Sequence, residues 1–159
     1  MASAADYVGR TVDLCVFHGE RRAGEALLLE EAVATEKAAG GTLVAGIVWL
    51  AQRCLLELLT PLGSIPYQPD RGTELLPTIA SSSFVTQASA EQIASQSLHR
   101  MANTIRSEDS PEMAADTQLK DVRLDRVNFP GNGVIEIFFT ITSQAGEVWS
   151  IIQPLSLGI

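Results

Sequence analysis

An apolar run that ends in a proline- and glycine-marked loop constrains this chain most. Leu43, Ile47, Leu50, Cys54 and Leu58 recur at spacings of four, three, four and four, with Val44, Leu55 and Leu59 widening the face. That period predicts a helix over 42–59, buried against more than one neighbour. It runs directly into Leu58-Leu59-Thr60-Pro61-Leu62-Gly63-Ser64-Ile65-Pro66-Tyr67-Gln68-Pro69-Asp70-Arg71-Gly72-Thr73. Pro61 stops the helix, because it lacks the amide a further turn needs, and Gly63 follows where the chain can reverse. Residues 60–86 carry four prolines and then Ser81-Ser82-Ser83, and are expected to hold little regular structure. A long segment of that kind inside a domain is usually functional or disordered. Tyr67 favours a packed loop.

A second helix is expected from Ser89, with Ser89 as cap and Gln92 reaching back in a capping box. Ala94, Leu98, Met101 and Ile105 then recur at helical spacing, with Ile93 beside them. Residues 107–117 read as an acidic connector. The remainder is β. Residues 119–127 place Val122 and Leu124 on one face and Asp121, Arg123 and Asp125 on the other. Asn128 to Gly133 reads as a turn. Residues 134–142 set Ile135, Ile137, Phe139 and Ile141 against Val134, Glu136, Phe138 and Thr140. Residues 143–146 turn the chain, and 147–153 return with Val148, Trp149, Ile151 and Ile152. These make a three-strand antiparallel meander.

Before the first helix, residues 11–17 read as a strand ended by His18-Gly19, 26–29 as a second short strand, and 30–41 as a stretch closing on a flexible Ala38-Ala39-Gly40-Gly41. Residues 1–10 read as a flexible arm and 11–159 as a single domain. The fold class is therefore α+β: two main helices packed on a small antiparallel meander, with an N-terminal strand region.

Composition limits function. At 159 residues the chain can bury a core without metals or disulfide staples. Its net charge of −8, with eleven scattered bases, disfavours direct nucleic-acid binding, which requires neutralising phosphates. The N-terminus lacks the basic and apolar regions of a signal peptide. The 43–59 run carries Arg53 and Glu57, which a membrane span would not hold without reason. Cys15 and Cys54, both among apolar neighbours, are expected to be buried and reduced.

No phosphate-binding or dinucleotide fingerprint is present. His18 and His99 have no clustered partners, so neither a nucleophilic triad nor a zinc site is expected. The acidic pairs Glu30-Glu31 and Glu108-Asp109 read as solvated surface. Asp70 beside Arg71 is held charged and is unsuited to be a general acid. Asp70-Arg71-Gly72 admits two readings: Arg71 bridges a partner, or Asp70 caps a turn while Arg71 is solvated. Phe138 and Trp149 fall outside the Ile/Phe face, so the second sheet face is covered either by the chain itself or by a partner. An open edge for a partner strand is expected along 134–141 or 147–153.

The order of elements, with Leu59-Thr60-Pro61-Leu62-Gly63 and Tyr67-Gln68-Pro69-Asp70-Arg71-Gly72, resembles the sheath-initiator and baseplate-wedge family of contractile phage tails, once labelled lysozyme-like. The match covers roughly residues 42–157. Where many members carry Glu-Pro-Arg after the second helix, this chain has Ser107-Glu108-Asp109-Ser110-Pro111-Glu112. The resemblance implies a virion structural protein, assembled in the host cytoplasm. Its implied partners are the tail sheath protein, other baseplate wedge proteins and the tail tube or hub, with neither nucleic acid nor membrane among them. It implies no catalytic residue, cofactor or metal. Interface residues are then expected at Tyr67, Asp70, Arg71, Gly72, Glu136, Phe138, Thr140 and Trp149. The alternatives are another tail or head–tail connector protein and, last, a peptidoglycan-cleaving muramidase.

Overall fold

A computed structural model describes residues 12–14, 17–20, 27–31, 43–81, 86–131 and 133–156. The fold is α+β. In chain order the elements are β1 (Val12–Leu14), β2 (Phe17–Glu20), β3 (Leu27–Glu31), β4 (Leu43–Ala45), α1 (Gly46–Leu59), α2 (Leu75–Ser81), α3 (Gln87–Glu108), β5 (Leu119–Gly131), β6 (Val134–Ser143) and β7 (Val148–Ser156). Cys15, the 1–10 arm and the Ala38–Gly41 break lie outside the described residues.

The C-terminal meander forms as its alternation dictates. Ile135, Ile137, Phe139 and Ile141 are buried on one face of β6, while Val134, Glu136, Phe138 and Thr140 are only partly covered on the other. β6 pairs antiparallel with β5 on one side and β7 on the other. The sheet is larger than the meander. β7 also pairs in parallel with β3, and β3 antiparallel with β2, giving the order β2-β3-β7-β6-β5.

That order corrects the expected position of the edge. β6 has a neighbour on both sides, and β7 is joined by β3 through Leu27 to Ile151 and Leu28 to Ile152. The outer strands are β2 and β5. His18 and Gly19 do not end a strand but sit inside β2, held by pairing with Glu30 and Leu29. β5 runs through residues 128–131, expected as a turn. Asn128 pairs with Glu136 and Gly131 with Val134, and irregular register between them absorbs Phe129 and Pro130.

The buried faces of α1, α2 and α3 close over the inner face of the sheet as one hydrophobic cluster, with Leu50, Leu55, Leu58, Leu75, Met101, Ile105 and Phe139 at its centre. α1 starts later than its period predicted. Leu43, Val44 and Ala45 pair antiparallel with Leu14, Asp13 and Val12, so a tertiary strand pairing takes the first turn. α2 corrects the reading of 60–86 as irregular. Pro77 is its third residue, where an amide would have no partner within the helix, so the ring is tolerated and Leu75 and Ile79 face the core.

α3 begins a turn ahead of Ser89. Thr86 is the cap, its Oγ1 accepting from the Ser89 amide at 3.2 Å, and Ser89 Oγ donates back to the Thr86 carbonyl at 2.8 Å. The capping box on Ser89 and Gln92 is therefore not formed. Thr86 offers the same acceptor chemistry and admits Gln87 and Ala88 to the helix.

Candidate functional site

The loop between α1 and α2 is built from the end of α1 outward. Thr60 closes α1, with its amide and its hydroxyl both donating to the Leu56 carbonyl, at 3.0 and 2.6 Å. The chain leaves, turns at Gly63 and returns beside itself. Leu62 donates to Thr73 at 2.9 Å, Thr73 to Thr60 at 2.8 Å and Gly63 to Arg71 at 3.2 Å. The Thr73 hydroxyl donates to the Leu58 carbonyl at 2.6 Å. The segment is thus a compact loop with joined ends, of the kind that often carries function.

A buried carboxylate holds it. Glu57 lies on the covered face of α1 at 2 % exposure. Its Oε1 accepts from the Gly72 amide at 2.7 Å and its Oε2 pairs with Arg71 at 2.8 Å. A buried carboxylate without such partners would be strongly unfavourable. Arg71 also pairs with Glu108 at the end of α3. Glu108 in turn pairs with Arg53 at 3.0 Å, and Arg53 with Asp109 at 2.6 Å. The other oxygen of Asp109 accepts from the Leu119 amide at 2.8 Å, where β5 begins. The run from Glu57 to Leu119 therefore ties α1, the loop, α3 and the sheet together. Burial acts to lower the Arg53 pKa, but the hydrogen bonds it donates to Asp109 and Glu108, with their negative charges, outweigh it and leave the guanidinium held more firmly charged than usual.

Gly72 is required by the same construction. Its φ is +91°, and a Cβ there would lie 2.4 Å from the Thr60 carbonyl oxygen and 2.9 Å from Pro61 backbone atoms. Arg100 of α3 fastens the returning strand from the other side, donating to the Gly72 carbonyl at 3.1 Å and the Asp70 carbonyl at 3.2 Å.

The tip projects from this clamp. Tyr67 has φ +68°, the one positive φ at a non-glycine among the described residues, and its side chain is fully exposed. An aromatic in that conformation is held by its surroundings against its own preference. Beside the tip, an open groove of about 780 Å³ is lined by Asp70 and by Gln96, His99, Arg100, Asn103 and Ser107 of α3.

The expected site residues thus divide. Tyr67 and Asp70 are on the surface, while Arg71 and Gly72 are structural. Arg71 is only partly solvated, because Glu57 and Glu108 hold its guanidinium. Glu108 and Asp109 are members of the network and not free surface. On the outer face of the sheet, Glu136 accepts from Asn128 at 3.1 Å, Phe138 lies 4.0 Å beneath the Arg126 guanidinium, and Thr140 bonds Asp125 at 2.6 Å and Ser150 at 3.0 Å. Trp149 is on the opposite face. It pairs with the buried Ile141 and packs against the core, since paired residues share a face. The sequence reading missed Glu57, Arg53 and Arg100. The available signal was Glu57 itself, a carboxylate set among apolar residues on a buried helix face.

Cys54 is buried, and burial pushes its thiol up to about 12. Among the described residues no group of three or more His, Cys, Asp or Glu is placed to hold a metal ion. Among them, too, no helix is long and apolar enough to cross a membrane. In comparisons with known proteins, no family model, curated protein or solved structure matches the chain.

Proposed function

We propose that this chain is a non-enzymatic assembly protein, a sheath initiator in the baseplate of a contractile phage tail. In this reading it docks the first sheath ring by strand addition to its C-terminal sheet and contacts other wedge proteins through the 60–73 loop. The observation that carries the reading is how the loop's charged residues are used. Arg71 and Gly72 are spent on Glu57, and Arg100 on two loop carbonyls, so the segment is rigid and presents Tyr67 to a partner. Rigid, exposed aromatics are the residues that anchor protein interfaces.

The test is reconstitution. Baseplates assembled without this protein should fail to nucleate sheath on the tail tube and recover when the wild-type chain is added. A folded Tyr67→Ala variant should restore sheath nucleation poorly or not at all. Peptidoglycan suspensions treated with the purified protein should keep their turbidity. Sheath that assembles equally well without the chain, or clearing that a single Asp or Glu substitution abolishes, overturns the proposal.

A further inference from the structure

The outer strand β5 and helix α3 enclose a second, smaller groove, which adjoins the first at Ser95 and His99. Its volume is about 160 Å³, and Leu98, Ala102, Val122 and Leu124 supply its apolar lining. Ser95, His99, Arg106 and Asp121 complete it. A space of roughly 150 Å³ matches the volume of a group the size of benzene. One aliphatic or aromatic side chain therefore fits.

The strand beside this groove is an outer strand of the five-stranded sheet, so alternate backbone donors and acceptors face away from β6. Register breaks at Lys120 and Asp125 frame an unbroken stretch from Asp121 to Leu124. The first break is pinned by Arg106, which donates to the Lys120 carbonyl at 2.7 Å. Outward-facing bulges normally discourage strand pairing, and here they confine it to four residues that lie beside the groove.

The charge of this flank opposes that of the molecule. Arg106, Lys120, Arg123 and Arg126 outnumber Asp121 and Asp125 by two, whereas the whole chain carries −8. Arg106 and Asp121 are 3.7 Å apart and both well exposed, a loose pair that a better acceptor would replace.

We propose that the β5–α3 groove binds an acidic, extended polypeptide segment. The segment adds as a strand along Asp121–Leu124 and inserts one apolar side chain between Leu98, Ala102, Val122 and Leu124. Its carboxylates meet Arg106, Lys120 and Arg123. This deepens the strand-addition reading above by naming the edge and the chemistry of the partner.

A capped, fluorescein-labelled peptide of alternating Glu and Val, seven residues long, is the probe. The full-length protein is titrated with it at low salt and followed by anisotropy. The acidic peptide is expected to bind at least about tenfold more tightly than its counterpart with Lys in place of Glu, and the preference should shrink as salt screens it. A version with Pro at its centre, unable to complete the ladder, should bind weakly. Ser95→Trp, which fills the groove, and Arg106→Glu with Arg123→Glu, which reverses the charge along the strand's flank, should each weaken the acidic peptide by about tenfold or more. Arg123 is largely exposed, so Arg123→Glu alone reports even where the other variants do not fold. Amide exchange at 121–124 should slow in the complex. Absence of binding, equal binding of the Glu and Lys peptides, or binding indifferent to the charge variant overturns the proposal. Such a failure removes this groove alone, since the assembly reading stands or falls on the reconstitution.

Discussion

At the scale of single residues, the loop depends on a carboxylate that has no access to water. Removing Arg71 leaves Glu57 buried without its counter-charge. Truncating one partner of a buried pair costs about 3–5 kcal/mol, and the partial exposure of Arg71 places this case near the lower end. Denaturant unfolding of Arg71→Met is expected to show a loss of about 3 kcal/mol. Adding Glu57→Gln to that variant should recover part of it, because a neutral amide oxygen still accepts from Gly72 without needing a cation. A double variant no more stable than Arg71→Met would mean that the pair is not what holds the loop. Gly72→Ala should lose about 2 kcal/mol or more, since the new Cβ meets backbone atoms that cannot rotate away. Tyr67→Gly should stay within about 1 kcal/mol of wild type, because relief of the positive φ offsets the freedom glycine brings to the unfolded chain.

At the scale of elements, what was legible followed from period. The alternation of 134–142 specified both the strand and its buried face, because a strand's side chains leave no choice once one face is apolar. Helix α3 was legible from Ala94, Leu98, Met101 and Ile105, but its start was not. Two residues with similar capping chemistry compete at Thr86 and Ser89, and local sequence does not rank them. The distinction is measurable. Thr86→Ala should cost about 1 kcal/mol and fray the first turn, while Ser89→Ala should cost less. The reverse order would restore Ser89 as the cap. β4 and the β3–β7 pairing were illegible for another reason. Both are set by partners distant in sequence, and a three-residue strand such as Leu43–Ala45 has no period of its own. The site was half legible on the same grounds. Gly72 and Tyr67 announce themselves within the loop, but Arg71 owes its role to Glu57 on α1 and Glu108 on α3, and nothing within the loop points to either.

At the scale of the molecule, the loop and the sheet share one core, and Cys54 reports on its integrity. The thiol sits in α1 with no exposed surface, among residues that touch both α3 and the sheet. A thiol reagent therefore reaches it only when the core opens. Labelling of Cys54 is expected to follow the rate or equilibrium of global unfolding, and variants such as Phe139→Ala, which removes about 3–5 kcal/mol of core packing, should speed it strongly. The same burial has a consequence at high pH. Folding holds the thiol protonated up to about 12, whereas in the unfolded chain it ionises near 9.0. Above that lower value the unfolded state binds fewer protons, so stability present below about pH 9 declines as pH rises towards 12. Cys54→Ser or Cys54→Ala, compared with wild type across that window, isolates the contribution from other groups. Wild type should lose stability faster with pH than Cys54→Ala, and the two slopes should differ below about pH 9 by nothing measurable. Rapid labelling of Cys54 in the folded protein, or parallel pH profiles for the two chains, would show that the core around α1 is open to solvent and that the loop is not held as described.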